Sequence, residues 1–387
     1  MTGRNLPITA PHFDETEFRL LAECFESGWV TQGPMTERFE AMVAQRQGAR
    51  RALATTSATA ALHLSVASLG IGPGDEVVVP AFTWITSANC AEYVGARAVF
   101  ADVSLETYNL DPAAFEAAIT PRTKAVVVVH LFGLAAEMDE LMAIARQHEL
   151  AVIEDAACGI GTTYEGVPVG AIGDLGCFSF HPRKVVTTGE GGIVTTNSEE
   201  LAHRVNILRN HGSTGPPDPT VEPHGPWTMP TFGELGFNLR FSDIQAAVGI
   251  AQMSKLDVLL DERRGLAEAY TELLAGLDGI RTPTVGPIAG HNYQSYVVRV
   301  LEGGRSLRNL IMGRMAEDGI QTRPGTHAVH RLGYYSTKYG LRPDDFPNAA
   351  QCEDTTITLP LFPGMEDADQ ERVVGIFKQT LTGALSV

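Results

Sequence analysis

The stretch FSFHPRKVVTTGEGGIVTTN, residues 178–197, decides which fold the chain adopts. It begins in a predicted buried strand over 176–180 and ends in a second one over 192–196. Lys184 lies between them, six residues after Phe178 and just ahead of a glycine pair. Surface lysines are typical of solvated helix faces. A lysine in this position therefore suggests a chemical role.

On both sides of this stretch, short apolar runs alternate with amphipathic stretches from about residue 50 onward. Such alternation is typical of βα units around a mostly parallel sheet. DPAAFEAAI, with Asp111 as N-cap and Pro112 in the first helical position, is one helical pattern, and MDELMAIARQHE from Met138 is another. The sequence predicts an α/β fold with a doubly wound sheet. The further predicted strands cover 76–80, 97–102, 125–130 and 151–155.

The second half of the chain predicts a different organisation. Residues 212–233 are rich in proline and glycine and predict a long irregular loop. One long helix is predicted from Ser242, with serine as its N-cap. A smaller α+β lobe follows, so the predicted domains are 1–250 and 251–387. Its predicted strands lie near 293–301 and 355–359, and its predicted helices lie near 307–318 and from Asp367 onward.

Composition limits the classes of function. The 387 residues include 44% hydrophobic and 19% charged residues, and the formal net charge is -17. That charge disfavours nucleic acid or an anionic membrane as a partner. The N-terminus has no apolar signal segment, and the best apolar run, 125–136, is too short to span a bilayer. A cytoplasmic protein is expected. An odd number of cysteines without a CxxC pair predicts neither disulfides nor a zinc site; these are Cys24, Cys90, Cys158, Cys177 and Cys352.

Two side chains together suggest the chemistry. Asp155 ends the predicted strand AVIED, at the edge of an α/β sheet where ligands bind. A lysine that can form a Schiff base and an acid that keeps a pyridine nitrogen protonated are the minimum equipment for pyridoxal phosphate (PLP) chemistry. Lys184 and Asp155 supply both. The stretch TTSATAALHL, from Thr55, offers hydroxyls and a helix start that suit a phosphate dianion.

These residues occur within motifs that resemble a family. FSFHPRKVVTTGEGGIVTTN and EDAA, with PAFTWITSANC and GFNLRFSDIQAAVG, resemble the sugar aminotransferases of the DegT/StrS family. The resemblance extends from SGWVTQGP near residue 27 to the last helix. It implies a PLP-dependent transferase of the aspartate aminotransferase fold (fold type I). Such a chain has a large PLP-binding domain, with a mixed, mostly parallel sheet, and a smaller C-terminal α+β domain.

The resemblance also implies roles around the cofactor ring. Lys184 would form the internal aldimine, and Asp155 would hold the pyridine nitrogen. Trp84 would stack on the ring, as its flat face allows. Cys158 would lie beside the cofactor, at a position where the family usually has Gln or His.

Further implied contacts involve the phosphate and the substrate. Ala58, where the family often has glycine, Thr59 and Ser179 would hold the phosphate. Asn238 would reach the same phosphate from a neighbouring subunit, which implies a homodimer with a shared active site. His330 would face the sugar nucleotide.

The function implied is ping-pong transamination. An amino acid, by resemblance glutamate, would convert PLP to pyridoxamine phosphate. A nucleotide-linked keto-deoxy sugar would then accept the amino group, in amino-sugar biosynthesis for a lipopolysaccharide or an antibiotic. Lys184 would serve as nucleophile, leaving group and general acid/base. The nucleotide, the sugar and the choice of C3 or C4 amination stay open.

Other functions compete with this one. A cyclitol aminotransferase and a non-catalytic PLP-binding regulator stay open. A PLP-dependent sugar dehydratase is disfavoured, because the resemblance implies histidine in place of Lys184. A nicotinamide-dependent oxidoreductase would need G-x-G-x-x-G, but CGIGTTYEG has Tyr164 at the third glycine. His327 and His330 are three residues apart and lack a third ligand, so no metal site is predicted.

Overall fold

The computed structural model describes residues 4–217 and 225–385. The strands in these ranges are β1 (Arg51–Thr55), β2 (Glu76–Pro80), β3 (Phe82–Thr83), β4 (Arg97–Ala101), β5 (Thr123–Val129), β6 (Ala151–Asp155), β7 (Thr163–Tyr164), β8 (Val167–Pro168), β9 (Leu175–Ser179), β10 (Gly192–Thr196), β11 (Ser213–Gly215), β12 (Thr231–Phe232), β13 (Ile280–Arg281), β14 (Tyr296–Val300), β15 (His327–Ala328) and β16 (Thr356–Leu359). The α-helices are α1 (Glu15–Ser27), α2 (Pro34–Gln47), α3 (Ala58–Ser68), α4 (Thr86–Tyr93), α5 (Pro112–Ala118), α6 (Met138–Gln147), α7 (Glu199–Arg209), α8 (Asp243–Ser254), α9 (Leu256–Leu274), α10 (Gly304–Glu317), α11 (Gly333–Tyr339), α12 (Pro347–Thr355) and α13 (Asp367–Leu385).

Seven strands form one large mixed sheet in the order β1-β10-β9-β6-β5-β2-β4. Strands β4, β2, β5, β6 and β9 pair in parallel, whereas β10 runs antiparallel to both of its neighbours. The inner strands β2, β9 and β10 are buried throughout, because hydrophobic clusters cover both faces of the sheet. The α/β prediction is confirmed, and all six strands predicted here are present. The sequence analysis does not predict strand β1, because its residues, RALAT, are equally compatible with the end of a helix.

The predicted single long helix from Ser242 is wrong, because the structure has two helices. Ser242 does cap α8 in a capping box, but the chain leaves helical geometry at Lys255 (φ -104°, ψ 0°) before α9 begins. The Lys255 ammonium forms ion pairs with Glu17 (2.7 Å) and Asp14 (3.0 Å). These contacts tie the break to the start of α1.

The long loop predicted over 212–233 is only partly irregular. Strands β11 and β12 form a short antiparallel ladder across it, and the hydroxyls of Thr214 and Thr231 lie 2.8 Å apart. Residues 218–224 of this predicted loop lie outside the described residues. Proline and glycine content alone could not indicate which short flanking segments pair.

The C-terminal part has a core of its own. Strands β13, β14 and β16 form an antiparallel sheet, and the chain packs α9, α10 and α13 around it. Leu6, from the N-terminal segment, is buried in the same cluster. The strands and helices predicted for this lobe are present. The predicted domain boundary near residue 250 stays a prediction.

Two features are missing from the parts of the chain that the structure describes. None of the helices there combines the length and apolar character needed to cross a membrane. In the same ranges, no three His, Cys, Asp or Glu side chains converge so that they could hold a metal ion.

Candidate active site

A cavity of about 280 Å³ opens at the carboxyl ends of β5, β6 and β9. Ligands of open α/β folds bind at this edge of the sheet. One wall comes from the start of α3 and from Trp84, and the opposite wall comes from the C-terminal part of the chain around Arg323 and Thr358. The cavity therefore lies between the large sheet and the smaller lobe.

Asp155 is a buried acid in the floor of this cavity, with 4% of its surface exposed. The Ser87 hydroxyl donates to its Oδ2 at 2.6 Å, and the Ala157 amide donates to its Oδ1 at 3.2 Å. Thr83 is within hydrogen-bond distance of Ser87 (2.9 Å) and extends the network. These contacts fix the orientation of the carboxylate toward the cavity.

The neighbouring residue, Glu154, has a structural role: it holds the end of β6 through a buried hydrogen-bond network. It is fully buried, and its carboxylate accepts hydrogen bonds from the amides of Gly170 (2.6 Å), Ile172 (2.8 Å) and Gly173 (2.7 Å). Its Oε2 also lies 2.9 Å from His130 Nε2. Because the Ala136 amide donates to His130 Nδ1, Nε2 is the nitrogen that donates to Glu154. This network fixes the end of β6, and with it Asp155.

Lys184 lies half-buried in the cavity wall. Its Nζ is 3.2 Å from Cys158 Sγ, and within the described residues it forms no ion pair. The turn that carries it is fixed by two contacts: the Lys184 amide donates to the His181 carbonyl (2.8 Å), and Gln294 Nε2 donates to the Arg183 carbonyl (2.9 Å). The amine is thus held at the cavity without a carboxylate to neutralise it.

The start of α3 forms an anion-binding corner. Ser57 caps the helix by accepting an amide hydrogen bond three residues on, at 3.1 Å. The amides of Ala58 and Thr59, in the first helical turn, have no acceptor within the helix, and they form the positive end of its dipole. Ser179 lines the same cavity and pairs with Gly192 across β9 and β10. A Cβ on Gly192 would lie 2.3 Å from the Ser57 carbonyl carbon, so only glycine allows this close approach.

Trp84 covers another side of the cavity. It follows β3, and about half of its surface is exposed. The His327 ring lies 5.5 Å from it, since β15 pairs with β3. His327, the less favoured of the two histidines in the sequence, is the one next to the indole.

Two of the predicted site residues do not line the cavity. His330 is fully buried; its Nε2 lies 2.9 Å from the Pro343 carbonyl, and its ring packs on Phe346. Burial lowers the pKa of His330. The ring of His330 therefore packs within the protein. A contact between His330 and the substrate stays a prediction. Asn238 forms a bridge with Asn210 outside the cavity; its role concerns a neighbouring subunit and also stays a prediction.

The other seven predicted residues all line the cavity: Ala58, Thr59, Trp84, Asp155, Cys158, Ser179 and Lys184. Sequence reasoning missed Arg183, Arg323 and Thr358 among the polar residues that line the cavity. Arg183 stands inside the motif that carried Lys184, so its position alone could have indicated it. Arg323 and Thr358 gave no such signal, because only the fold brings them close to Lys184.

The whole chain is similar to proteins of one described family. The model of the DegT/DnrJ/EryC1/StrS aminotransferase family matches residues 11–378. The chain is 38% identical over 378 residues to the GDP-perosamine synthase of Caulobacter vibrioides, which covers 97% of this chain and 98% of that protein. It is 38% identical over 381 residues to the spore coat polysaccharide biosynthesis protein SpsC of Bacillus subtilis, which covers 98% of both.

Solved structures agree with this similarity. The PMP-form of the putative sugar aminotransferase Spr1654 from Streptococcus pneumoniae has a TM-score of 0.93 at 29% identity. The match covers 98% of this chain and 100% of that one. Agreement over the full length includes both the large sheet and the smaller lobe.

Proposed function

Because the chain belongs to the DegT/DnrJ/EryC1/StrS aminotransferase family, we propose that it transfers an amino group from an amino acid to a nucleotide-linked keto-deoxy sugar, for amino-sugar biosynthesis. The sugar aminotransferase fold and the PLP dependence predicted from the sequence are confirmed. Two relatives carry names that support a sugar acceptor, the GDP-perosamine synthase and the spore coat polysaccharide protein. The observation that carries the proposal is the pairing of Lys184 and Asp155 in one cavity.

The residues around the cavity fit PLP. An aldehyde needs an amine that is not neutralised by a carboxylate, and Lys184 Nζ meets that need. A pyridine nitrogen needs a fixed acid, and Asp155 is oriented by Ser87. A phosphate dianion needs amides and hydroxyls, and the start of α3 with Ser179 offers both. These observations support Lys184, Asp155, Ala58, Thr59 and Ser179 as cofactor-binding residues.

When bound, PLP supplies an electron sink that stabilises negative charge at the carbon from which a proton is removed. The protein supplies the rest. Asp155 would keep the ring nitrogen protonated, and Trp84 would cover the cofactor ring. Lys184 Nζ takes the proton from the donor Cα and returns a proton to the carbon of the acceptor that receives the amine. Cys158 contacts the same Nζ and helps to orient it.

We further propose that the active unit is a homodimer, with Asn238 completing the neighbouring phosphate site. Several large apolar side chains of the described residues are exposed, and a soluble enzyme buries such groups at interfaces. Leu235 lies three residues before Asn238, in the same exposed segment. The most exposed of these side chains are Phe18, Phe25, Trp227, Met229, Phe232, Leu235 and Val258. We also propose that the enzyme acts in the cytoplasm, and that residues 1–250 and 251–387 are its two domains.

The proposal is tested with purified enzyme loaded with pyridoxamine phosphate. A panel of nucleotide-linked keto-sugars, differing in base and in the position of the ketone, is added without an amino donor. The expected result is that one member restores the absorbance of the PLP form and yields one amino sugar per site. A cyclitol ketone that reacts while every nucleotide sugar fails would overturn the proposal.

A further inference from the structure

One short segment connects the two loops that carry Lys184 and Cys158. It is HNYQS, the 291–295 segment, which lies between β13 and β14. Lys184 follows β9 and Cys158 follows β6, and both lie outside helices and strands. Their Nζ and Sγ atoms are nevertheless only 3.2 Å apart. Because loops are more mobile than the strands they follow, a contact this close needs a feature that fixes both loops.

Asn292 of this segment holds the loop of Cys158. Its Nδ2 donates to the carbonyls of Cys158 (2.7 Å) and Ile160 (2.8 Å), and its Oδ1 accepts a hydrogen bond from the Gln294 amide (2.8 Å). The residue is fully buried and is not part of the cavity lining. Its side chain therefore acts on the protein and not on a ligand.

Gln294 holds the turn of Lys184. Its Nε2 donates to the carbonyl of Arg183 (2.9 Å), the residue that precedes the lysine. Its own carbonyl accepts a hydrogen bond from Nη2 of Arg263 (3.0 Å), a residue of α9 with 2% of its surface exposed. Burial lowers the pKa of Arg263 to about 10, so the guanidinium is charged at neutral pH and the hydrogen bond is charge-assisted. A buried arginine thus fixes Gln294, and Gln294 fixes the turn.

The 291–295 segment meets the large lobe through strained backbone. The Asn292 amide donates to the Gly133 carbonyl (3.1 Å), and the Ser295 amide donates to the Phe132 carbonyl (3.2 Å). Phe132 and Tyr293 have φ angles of 58° and 50°, which are rare for bulky residues. A Cβ on Gly133 would lie 1.7 Å from Asn292 Oδ1. Strained backbone persists where its surroundings enforce it, and it clusters at functional sites, so the segment is a candidate for a functional role.

We propose that Asn292 and Gln294 are positioning residues for the proton transfers of Lys184. Asn292 fixes the loop of Cys158, Gln294 fixes the turn of Lys184, and the hydrogen bond between them couples the two loops. Nζ is thereby kept in contact with Sγ at the cavity. Misplacing a catalytic group by about 1 Å can slow a reaction by up to roughly 100-fold, so this positioning affects the rate directly. The inference rests on the proposed function for the reaction that Lys184 performs.

The first test measures the contact between Lys184 and Cys158 and needs no turnover. o-Phthalaldehyde condenses an amine and a thiol that lie in contact into a fluorescent isoindole. In the full-length chain without PLP we expect one isoindole per chain, joining Lys184 and Cys158, because the other four cysteines are buried. Mass spectrometry of the digested chain locates it. Prior loading with PLP should prevent the reaction, since the cofactor occupies Lys184. Failure to form an isoindole at this pair in the wild-type chain would overturn the inference.

Substitutions in the segment should slow isoindole formation. Gln294→Met keeps the length of the side chain but removes the donor, and the rate should fall by roughly 2- to 10-fold, as for one lost hydrogen bond. Asn292→Ala removes two donors and should slow it further. Gln370→Ala is the matched control, because it removes another amide-to-carbonyl hydrogen bond (2.7 Å, to Leu266) from the core of the smaller lobe. It should lower stability but leave the isoindole rate within about twofold of wild type.

The second test separates positioning from substrate binding, because Gln294 also lines the cavity. PLP-loaded Gln294→Met is mixed with glutamate in single turnovers. The maximal rate should fall by roughly 2- to 10-fold, whereas the half-saturating glutamate concentration should stay unchanged. Glutamate deuterated at Cα should give an isotope effect at least as large as in the wild-type enzyme, because proton transfer to Lys184 is the step that slows. A raised half-saturating concentration with an unchanged maximal rate would make Gln294 a substrate contact and overturn the inference.

The remaining outcomes are equally decisive. Wild-type isoindole rates in both variants would show that the segment does not hold the contact. If Asn292→Ala fails to fold, Gln294→Met alone decides, since its side chain is only partly buried. Failure of the keto-sugar panel with the expected isoindole results would overturn the proposed function alone. Success of the panel with unchanged isoindole rates would overturn only the positioning role.

Discussion

The acid at the end of β6 allows a quantitative prediction for the variant Asp155→Asn. An opposite charge close to an ionisable nitrogen raises its pKa by roughly 1–3 units, and one unit corresponds to about 1.4 kcal/mol. Replacing the carboxylate by an amide removes that interaction. We therefore expect the rate of the donor half-reaction to fall by roughly 10- to 1,000-fold.

The assay is single-turnover absorbance after glutamate is mixed with PLP-loaded enzyme. The matched control is Ser87→Ala, which removes the 2.6 Å hydrogen bond to Asp155 but keeps the charge. Loss of one hydrogen bond to a charged group costs about 1.5–3 kcal/mol. Only part of this cost is added to the activation free energy, because the ground state loses the same hydrogen bond. The control should therefore slow the reaction less than Asp155→Asn does. A rate for Asp155→Asn within twofold of wild type, at full cofactor occupancy, would refute the reasoning.

Three further predictions concern the framework of the site. Gly192→Ala places a Cβ 2.3 Å from the Ser57 carbonyl carbon; the strain of about 1–3 kcal/mol should weaken PLP retention, measured by dialysis against buffer. Glu154→Gln leaves its amide donors with a poorer acceptor, and the free energy of unfolding should fall by about 1.5–3 kcal/mol in urea titrations. Burial opposes ionisation of Glu17 and is the largest single influence, but the hydrogen bonds from Lys255, the Asp14 amide and Gln252 together outweigh it and hold the pKa of Glu17 below its ordinary value. That stabilisation is present above the unfolded pKa of about 4.3 and is lost as pH falls through the folded value. Lys255→Met should lower stability by about 1.5–3 kcal/mol at pH 7 and by less near pH 3 in thermal melts.

Much of the large sheet could be predicted, because its strands are apolar runs bounded by turns. Strands such as β2 and β6 have clear ends, set by proline or by acids. The break between α8 and α9 could not be predicted. The apolar spacing continues through Lys255, and only its ion pairs with α1 mark the position. Local patterns contain no information on such distant partners.

The same limit applies to the site. Lys184 and Asp155 are found from motifs, since each ends or follows a recognisable strand. Arg323 lies more than a hundred residues from both, and only the fold brings it to the cavity. The motif around His330 predicts a substrate contact; the ring is buried against Phe346, and the contact stays a prediction. Motifs identify chemistry, but the packing of the smaller lobe decides which side chains reach the cavity.

The central claim, that Lys184 carries the cofactor in this cavity, is tested most directly by locating the modified lysine. The PLP-loaded enzyme is reduced with borohydride, digested and analysed by mass spectrometry, in parallel with Lys184→Ala. We predict one cofactor adduct per chain, on the peptide that contains Lys184, and none in the variant, which stays folded. An adduct on another lysine of the wild-type enzyme, or an equal adduct in Lys184→Ala, would contradict the account.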